Sequence, residues 1–330
     1  MKLHEFNYTL PKELIAQYPL EDRGTAKLLV LERKTGQISH SLFHKISEFF
    51  RKGDILVINN TKVFKARLKG KKETGGSVEM LLIREIRDNT WEAMISHAKR
   101  TKEETKIYID KDIYATVIEK RGTRCYLHFN VPIDDIIEKY GAVPLPHYIK
   151  RDAVEKDEEY YQAVFAKRQG SIAAPTAGLH FTQEILHSIK KQGVDICEIT
   201  LHIGPGTFRP IRVDNIQEHT MEAEYFEISE QAMKMMSEAR RIVGVGTSVC
   251  RALETYAQNG TTGGLADLFI YPGYRFKIIG CLITNFHLPC STPLLLVSAF
   301  AGKDLIFKAY SEAIQRKYRF LSYGDAMLIL

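Results

Sequence analysis

Between residues 170 and 182 the chain reads GSIAAPTAGLHFT, thirteen residues that hold two glycines, Pro175, the alcohols Ser171, Thr176 and Thr182, and His180. Backbone N–H groups in such a run, beside Ser171, Thr176 and His180, could receive a carboxylate or phosphate and hold a sugar hydroxyl. A helix is expected to follow. Thr182 suits its N-cap, Gln183 and Glu184 its first turn, Ile185, Leu186 and Ile189 its apolar side, and Gly193 after Lys190 and Lys191 its stop. The run would then end on the positive pole of that helix. A tight, small-residue packing turn has the same composition, and these residues alone leave both readings open.

Four further loops each follow an apolar strand and present small or polar residues: NNTK (59–62), HIGPGTF (202–208), VGTS (245–248) and TNFHLP (284–289). Ligands of α/β sheets gather at the carboxyl ends of strands, so these loops and the 170–182 run are expected to converge on one cleft. His180, His202, His219 and His287 lie in or beside them in no metal-cage spacing, and no metal is expected. A lone histidine is commonly structural, but three in converging loops point to acid–base or substrate-binding work. Gly244-Val245-Gly246 lacks the third glycine and the acidic partner of a dinucleotide fingerprint, and neither GxxxxGK[ST] nor HExxH occurs. The five cysteines show no CxxC spacing and sit mostly among apolar neighbours, as inert buried thiols do.

The elements that must position these residues read as α/β. Strands are expected at 28–31, 54–58, 199–203, 242–245 and 277–284, and helices at 41–51, 229–240 and, as a pair, 293–317. From Ala66 to Asn130 short alternating runs (ARLKGKK, SVEMLLIREI, TWEAMISHAK, TKIYID, IYATVIEKRG, RCYLHFN) replace helical periodicity. About six such strands make a small antiparallel barrel or sandwich. The fold class is therefore α/β, a larger α/β domain (1–66 plus 144–330) with an inserted small antiparallel β-barrel domain (67–143). Lysines and arginines, Lys62, Arg67 and Lys69 among them, cluster where the insert meets the cleft, as a solvated face or as a phosphate-binding stripe.

At 330 residues two domains are the natural expectation, and 45% hydrophobic with 26% charged content is that of an ordinary globular protein. No apolar run reaches the roughly 18 residues of a membrane span, and the N-terminal stretch MKLHEFNYTLPKEL has no apolar signal core, so a cytoplasmic location and no membrane partner are expected. A formal charge of +6 permits nucleic-acid binding without requiring it.

The segments LIAQYPLEDR, NNTKV with ARLKG, LPHYIKR, YYQAVFA, GSIAAPTAGLHFT, TLHIGPGTF, FIYPGYRF, TNFHLP and YRFLSYGDAM resemble, in order and approximate spacing, the S-adenosylmethionine:tRNA ribosyltransferase-isomerase family of queuosine biosynthesis. The resemblance runs nearly end to end. It implies transfer and isomerisation of the ribosyl part of S-adenosylmethionine onto 7-aminomethyl-7-deazaguanine at the tRNA wobble position, giving epoxyqueuosine with release of adenine and methionine. It also implies the same two-domain fold, S-adenosylmethionine as co-substrate with no tightly bound cofactor, and tRNA with a GUN anticodon as partner; the sequence does not give the oligomeric state, and a monomer is the expectation.

On that reading His180, His202 and His287 are nominated for acid–base work or adenine contacts, with Asp325 as the leading carboxylate. Ser171, Thr176, Gly178, Gly204, Gly206, Thr207, Gly246, Thr247, Arg251 and Asn285 are nominated for the donor pocket, Arg251 or a loop N-terminus taking the methionine carboxylate. Lys62, Arg67 and Lys69 would contact anticodon-stem phosphates, and Tyr148 and Tyr161 could stack on bases. Asn60 stands where the family usually has aspartate, VGTSVCRALE differs from the commoner VGTTSVRTLE, and His147 replaces a usual proline. Asn60 is accordingly read as a hydrogen-bonding group only. Two rivals are an S-adenosylmethionine-dependent methyltransferase, against which the missing glycine fingerprint counts, and a non-catalytic tRNA-binding protein.

Overall fold

A computed structural model of the chain describes residues 1–208 and 211–330, with Thr207 and Phe208 by backbone alone. The apolar run Asp54–Asn59 is buried along its whole length, as its unbroken hydrophobicity requires of a strand covered on both faces. Ile55 and Val57 enter one core while Leu56 and Ile58 enter another. This strand is the fourth of a nine-stranded sheet in the order Gly263–Ala266, Glu224–Glu227, Asp195–Leu201, Asp54–Asn59, Arg241–Val245, Cys281–Asn285, Ala326–Ile329, Lys27–Glu32, Gln37–Leu42. Asp195–Leu201, Asp54–Asn59, Arg241–Val245 and Cys281–Asn285 run parallel, so their carboxyl ends share one edge. Ala326–Ile329 runs antiparallel to its neighbour, with Asn285 facing Ala326.

One face of the sheet is covered by helices Glu230–Ser237, Thr247–Asn259, Thr292–Ala301 and Lys303–Gln315. The other is covered by Gln183–Lys191, through Ile185, Leu186 and Ile189, and by the 3-10 helix Phe43–Phe49. The expected helix over 41–51 is thus a shorter, tighter one. Phe43, Ile46 and Phe49 recur every three residues, the period at which side chains line up in a 3-10 helix. The strand expected over 277–284 spans only Cys281–Asn285, because the N–H groups of Lys277, Ile278 and Ile279 donate instead to the buried Glu254 carboxylate.

The insert is a closed antiparallel barrel of six strands, Arg67–Lys72, Ser77–Arg87, Thr90–Ile95, Lys106–Tyr108, Tyr114–Arg121 and Arg124–Phe129. Leu68, Met80, Leu82, Ile107, Val117 and Leu127 fill it, and helix Ile133–Tyr140 plugs one end with Ile133, Ile136 and Ile137. Two pairings bracket the insert. Thr61–Val63 lies parallel to Arg168–Ser171, and Arg67 exchanges both backbone hydrogen bonds with Ala142.

Candidate active site

The four parallel strands release the chain on one edge as Asn60, His202, Gly246 and Phe286, and a cleft with a volume of about 140 Å³ lies there. Its walls come from Ala173–Ala177 of the 170–182 run, Ile203, Gly246–Ser248, Thr284–Leu288 and Ser291–Pro293. Leu268–Ile270, Tyr148, Tyr161, Leu321 and Ser322 complete it, so most of its surface is apolar or aromatic. Gly246 holds φ +91, a conformation that lets the strand turn directly into helix Thr247–Asn259 and aim the helix start at the cleft. Ser291 caps the second helix that begins there, Thr292–Ala301. These two helices supply the positive poles. The helix after Thr182 does form, with Thr182 as N-cap, but its apolar side is buried in the opposite core.

Thr176, Gly246, Thr247, Arg251, Asn285, His287 and Tyr148 are brought together on the cleft surface. His287 Nε2 lies 2.8 Å from the Thr284 hydroxyl, and the Tyr310 hydroxyl accepts from its backbone N–H at 2.9 Å. Burial pushes its imidazole down to about 3, so it is neutral at neutral pH. His180 lies behind the wall, where Asn285 Nδ2 is 3.3 Å from its Nε2 and burial holds it to about 4. The Tyr148 hydroxyl is 2.6 Å from Ser322 Oγ and is pushed up to about 12 by burial, so this ring belongs to the cleft wall.

Arg251 is not a free cation. Its Nη1 donates to Glu224 Oε2 at 2.6 Å and its Nη2 to the Ala266 carbonyl at 2.9 Å, while Nε has no acceptor among the described residues. Glu224 Oε1 takes the Gly204 N–H at 2.8 Å, and burial raises this carboxyl although Arg251 opposes the shift. The pair thus spans cleft wall and GPG turn.

The remaining nominees stand outside the cleft lining. Ser171 Oγ donates to the Ala173 carbonyl and accepts from the Ile203 N–H, bracing two loops. A Cβ on Gly178 would stand 2.9 Å from the Phe165 ring, and one on Gly206 2.8 Å from Glu222 Cβ, so both are close-packing glycines. The Thr207 side chain lies outside the described residues. His202 is half-buried with Nδ1 2.8 Å from Thr61 Oγ1, stacks on Tyr225, and is lowered by burial and by Arg168. Asp325 accepts the N–H of Lys27 at 2.8 Å on one oxygen and of Arg319 at 2.7 Å on the other. It joins two chain segments at the sheet edge, and burial raises its pKa.

On the barrel side Lys62 is exposed, Lys69 pairs with Asp152 at 3.1 Å, and Arg67 Nη2 caps the Leu145 carbonyl at 2.8 Å. Tyr161 is a core residue, 1% exposed, with its hydroxyl buried. Asn60 donates to Glu198 Oε2 at 3.2 Å and accepts from the Thr200 hydroxyl at 2.8 Å, a purely hydrogen-bonding place. Glu224 was not singled out by sequence reasoning. The signal was there in period-two form: in Glu224–Glu227, Glu224 and Phe226 are buried, which sets one acid on the same face as an apolar partner.

A family model for queuosine biosynthesis protein matches residues 3–329. A protein of Sulfurihydrogenibium sp. (strain YO3AOP1), 51% identical over the full length of both chains, is named S-adenosylmethionine:tRNA ribosyltransferase-isomerase, as is one of Thermotoga maritima at 47% over the full length of both. The solved structure of an S-adenosylmethionine tRNA ribosyltransferase from Thermotoga maritima is similar, with 38% identity and a TM-score of 0.57 over 99% of this chain and 100% of that one. With the inserted barrel, the parallel strand ends and these full-length matches in agreement, the chain belongs to the queuosine biosynthesis protein family of S-adenosylmethionine:tRNA ribosyltransferase-isomerase enzymes.

Proposed function

We propose that this enzyme transfers and isomerises the ribosyl moiety of S-adenosylmethionine onto 7-aminomethyl-7-deazaguanine at the wobble position of GUN-anticodon tRNA, giving epoxyqueuosine-tRNA, adenine and methionine. The observation that carries the reading is the cleft itself: an apolar, aromatic-walled space at the carboxyl ends of the parallel strands, onto which helices Thr247–Asn259 and Thr292–Ala301 open their N-termini. Such a space suits a ligand with an apolar ring and a few polar edges.

The chemistry needs a proton removed from the ribose methylene beside the sulfonium, adenine released, and an unprotonated aminomethyl nitrogen as nucleophile. His287 in the wall and His180 behind Asn285 are neutral at neutral pH, so they enter as hydrogen-bonding groups rather than as stored protons. Arg251 on the cleft surface takes the methionine carboxylate, and the starts of helices Thr247–Asn259 and Thr292–Ala301 add positive potential. His202 and Asp325 hold loops in place. Residues 67–143 act as the inserted domain, 1–66 with 144–330 as the catalytic one, and Lys62, with Arg67 and Lys69, meets anticodon-stem phosphates. The enzyme works as a cytoplasmic monomer without a tightly bound cofactor.

The deciding experiment is chromatographic detection of adenine from protein, donor and precursor-bearing tRNA. Adenine release and ribosyl label in tRNA, both absent without the precursor base, are expected. Methyl label in tRNA would indicate a methyltransferase instead, and tRNA binding with no turnover a non-catalytic protein.

A further inference from the structure

The barrel carries a cationic turn that the cleft does not use. Strand Thr90–Ile95 runs through Ser96 into the 3-10 turn Ala98–Arg100, entered at His97 in the left-handed region with φ +55. Two amines from other barrel strands hold its carbonyls: Lys120 Nζ donates to those of Ala98 and Thr101, each at 2.7 Å, and Lys72 Nζ to that of Arg100 at 3.1 Å. Thr101 is 1% exposed, and its hydroxyl donates to the His97 carbonyl at 3.3 Å. The backbone of the turn is thereby pinned to the barrel, while Lys99, Arg100 and Lys102 are exposed.

Ion pairs do not neutralise this turn. Lys71, Lys72, Lys99, Arg100 and Lys102 have no carboxylate partner among the described residues, whereas Lys69, Arg84, Arg121 and Arg124 of the same barrel each have one. Of the acids close by, Glu79 pairs with Arg67, Glu103 accepts the Lys120 backbone N–H, and Glu104 stays exposed, one acid beside five cations. Like charges held together in this way are relieved by a polyanion. Strand Arg67–Lys72 leads to the turn from the junction with the α/β domain, starting where Arg67 pairs with Ala142 and ending where Lys72 reaches Arg100. Along it Lys69 and Lys71 line one open groove with Ser77, Ser96 and His97. Five steps of extended chain cover about 17 Å, the reach of about five successive phosphates on one strand of a nucleic-acid helix. Unpaired nucleotides are held by stacking on aromatic rings, and residues 97–104 (HAKRTKEE) contain no Phe, Tyr or Trp; a paired backbone needs only the cations. Resting on the tRNA reading above, we propose that the turn at 98–102, with Lys71, grips the phosphate backbone of the paired anticodon stem, a contact separate from the one at the cleft.

The test is salt-dependent binding of an anticodon stem–loop hairpin, and of its loop strand alone, to the full chain and to two triple variants. Lys99→Ala/Arg100→Ala/Lys102→Ala removes the charges of the turn and keeps its backbone caps, while Lys45→Ala/Lys190→Ala/Lys191→Ala removes three exposed charges from the α/β domain. The first variant is expected to bind the hairpin about 10- to 100-fold more weakly at 0.1 M salt, with the slope of log K against log salt lessened by about 2–3, and to bind the loop strand as the unsubstituted protein does. Its KM for tRNA should rise with kcat unchanged, and its Kd for S-adenosylhomocysteine and its melting temperature should stay the same. The second variant should behave as the unsubstituted protein. Should the triple variant melt early, each single substitution is expected to lessen the slope by about 0.7–0.9. Equal weakening by both variants would reduce the effect to net charge, unaltered hairpin binding by the first would leave the turn without RNA, and equal loss for hairpin and loop strand would move the contact to unpaired nucleotides; each overturns the proposal. If the unsubstituted protein binds neither RNA, the tRNA reading itself fails.

Discussion

Arg251 and Glu224 are both more than nine-tenths buried and joined at 2.6 Å, and they tie helix Thr247–Asn259 to the penultimate strand Glu224–Glu227 and, through the Gly204 N–H, to the GPG turn. A buried pair contributes little over an apolar substitute, but breaking it leaves one charge stranded. Glu224→Gln is therefore expected to lower unfolding free energy by about 3–5 kcal/mol, measured by urea denaturation. Arg251→Met together with Glu224→Met should recover much of the stability but not donor binding, since the Arg251 guanidinium is lost. Recovery of both would remove Arg251 from the donor site.

His180 and His287 make stability fall in acid. Their native pKa values, about 4 and about 3, lie below the 6.5 of the unfolded chain. Between these limits the unfolded state binds protons that the native state does not, so stability is complete above about pH 6.5 and lost as pH falls toward 4. For His180 the loss is about 3 kcal/mol by pH 4. Denaturation series at pH 7 and 5 should show it, and His180→Gln should reduce the slope by about one proton. The acid limb of kcat/KM should likewise not fall at 6.5 on account of these two groups.

Asp325→Asn separates structure from chemistry. Both oxygens of the native side chain accept backbone N–H groups, so an amide turns one acceptor into a donor facing a donor. A stability loss of about 1–3 kcal/mol is expected, with the Kd for donor analogues unchanged below the melting point. Isothermal titration calorimetry at low temperature reads the second half. A large rise in Kd would return Asp325 to the site.

Lys62 and Lys69 should behave unequally towards RNA. Lys62→Ala should lessen the slope of log K against log salt by about 0.7–0.9, while Lys69→Ala, whose amine already pairs with Asp152, should change it less. Filter binding at several salt concentrations compares them.

Asn60→Asp would set a second carboxylate against Glu198, whose Oε2 now receives the Asn60 amide at 3.2 Å. The like charges should cost about 1–2 kcal/mol at pH 7 and progressively less as pH falls through the carboxylate range, because protonating either acid restores a donor. Thermal melts at pH 7 and 4.5 should show the penalty shrinking.

Much of this was legible in the residues. A buried strand such as Asp54–Asn59 shows itself as an unbroken apolar run, and polar residues just beyond it mark a strand end, so the meeting of the loops after Val245 and Asn285 with the 170–182 run could be read directly. The six barrel strands were equally plain from alternation. Partnership was not legible. Nothing local says that Arg251 meets an acid 27 positions away, or that Asp325 spends both oxygens on Lys27 and Arg319, because such pairs are made by chain crossings rather than by periodicity. The helix pole misled for the same reason: Thr182 capped its helix as expected, but direction comes from packing, and that packing faces the other core.

The paired crossings at Thr61–Val63 with Arg168–Ser171, and at Arg67 with Ala142, bring the chain into the barrel and out of it roughly 5 Å apart, one strand spacing, whatever lies between them. The barrel is thus a cassette with a standard socket: its strands can lengthen, shorten or change charge without re-routing the rest of the polypeptide.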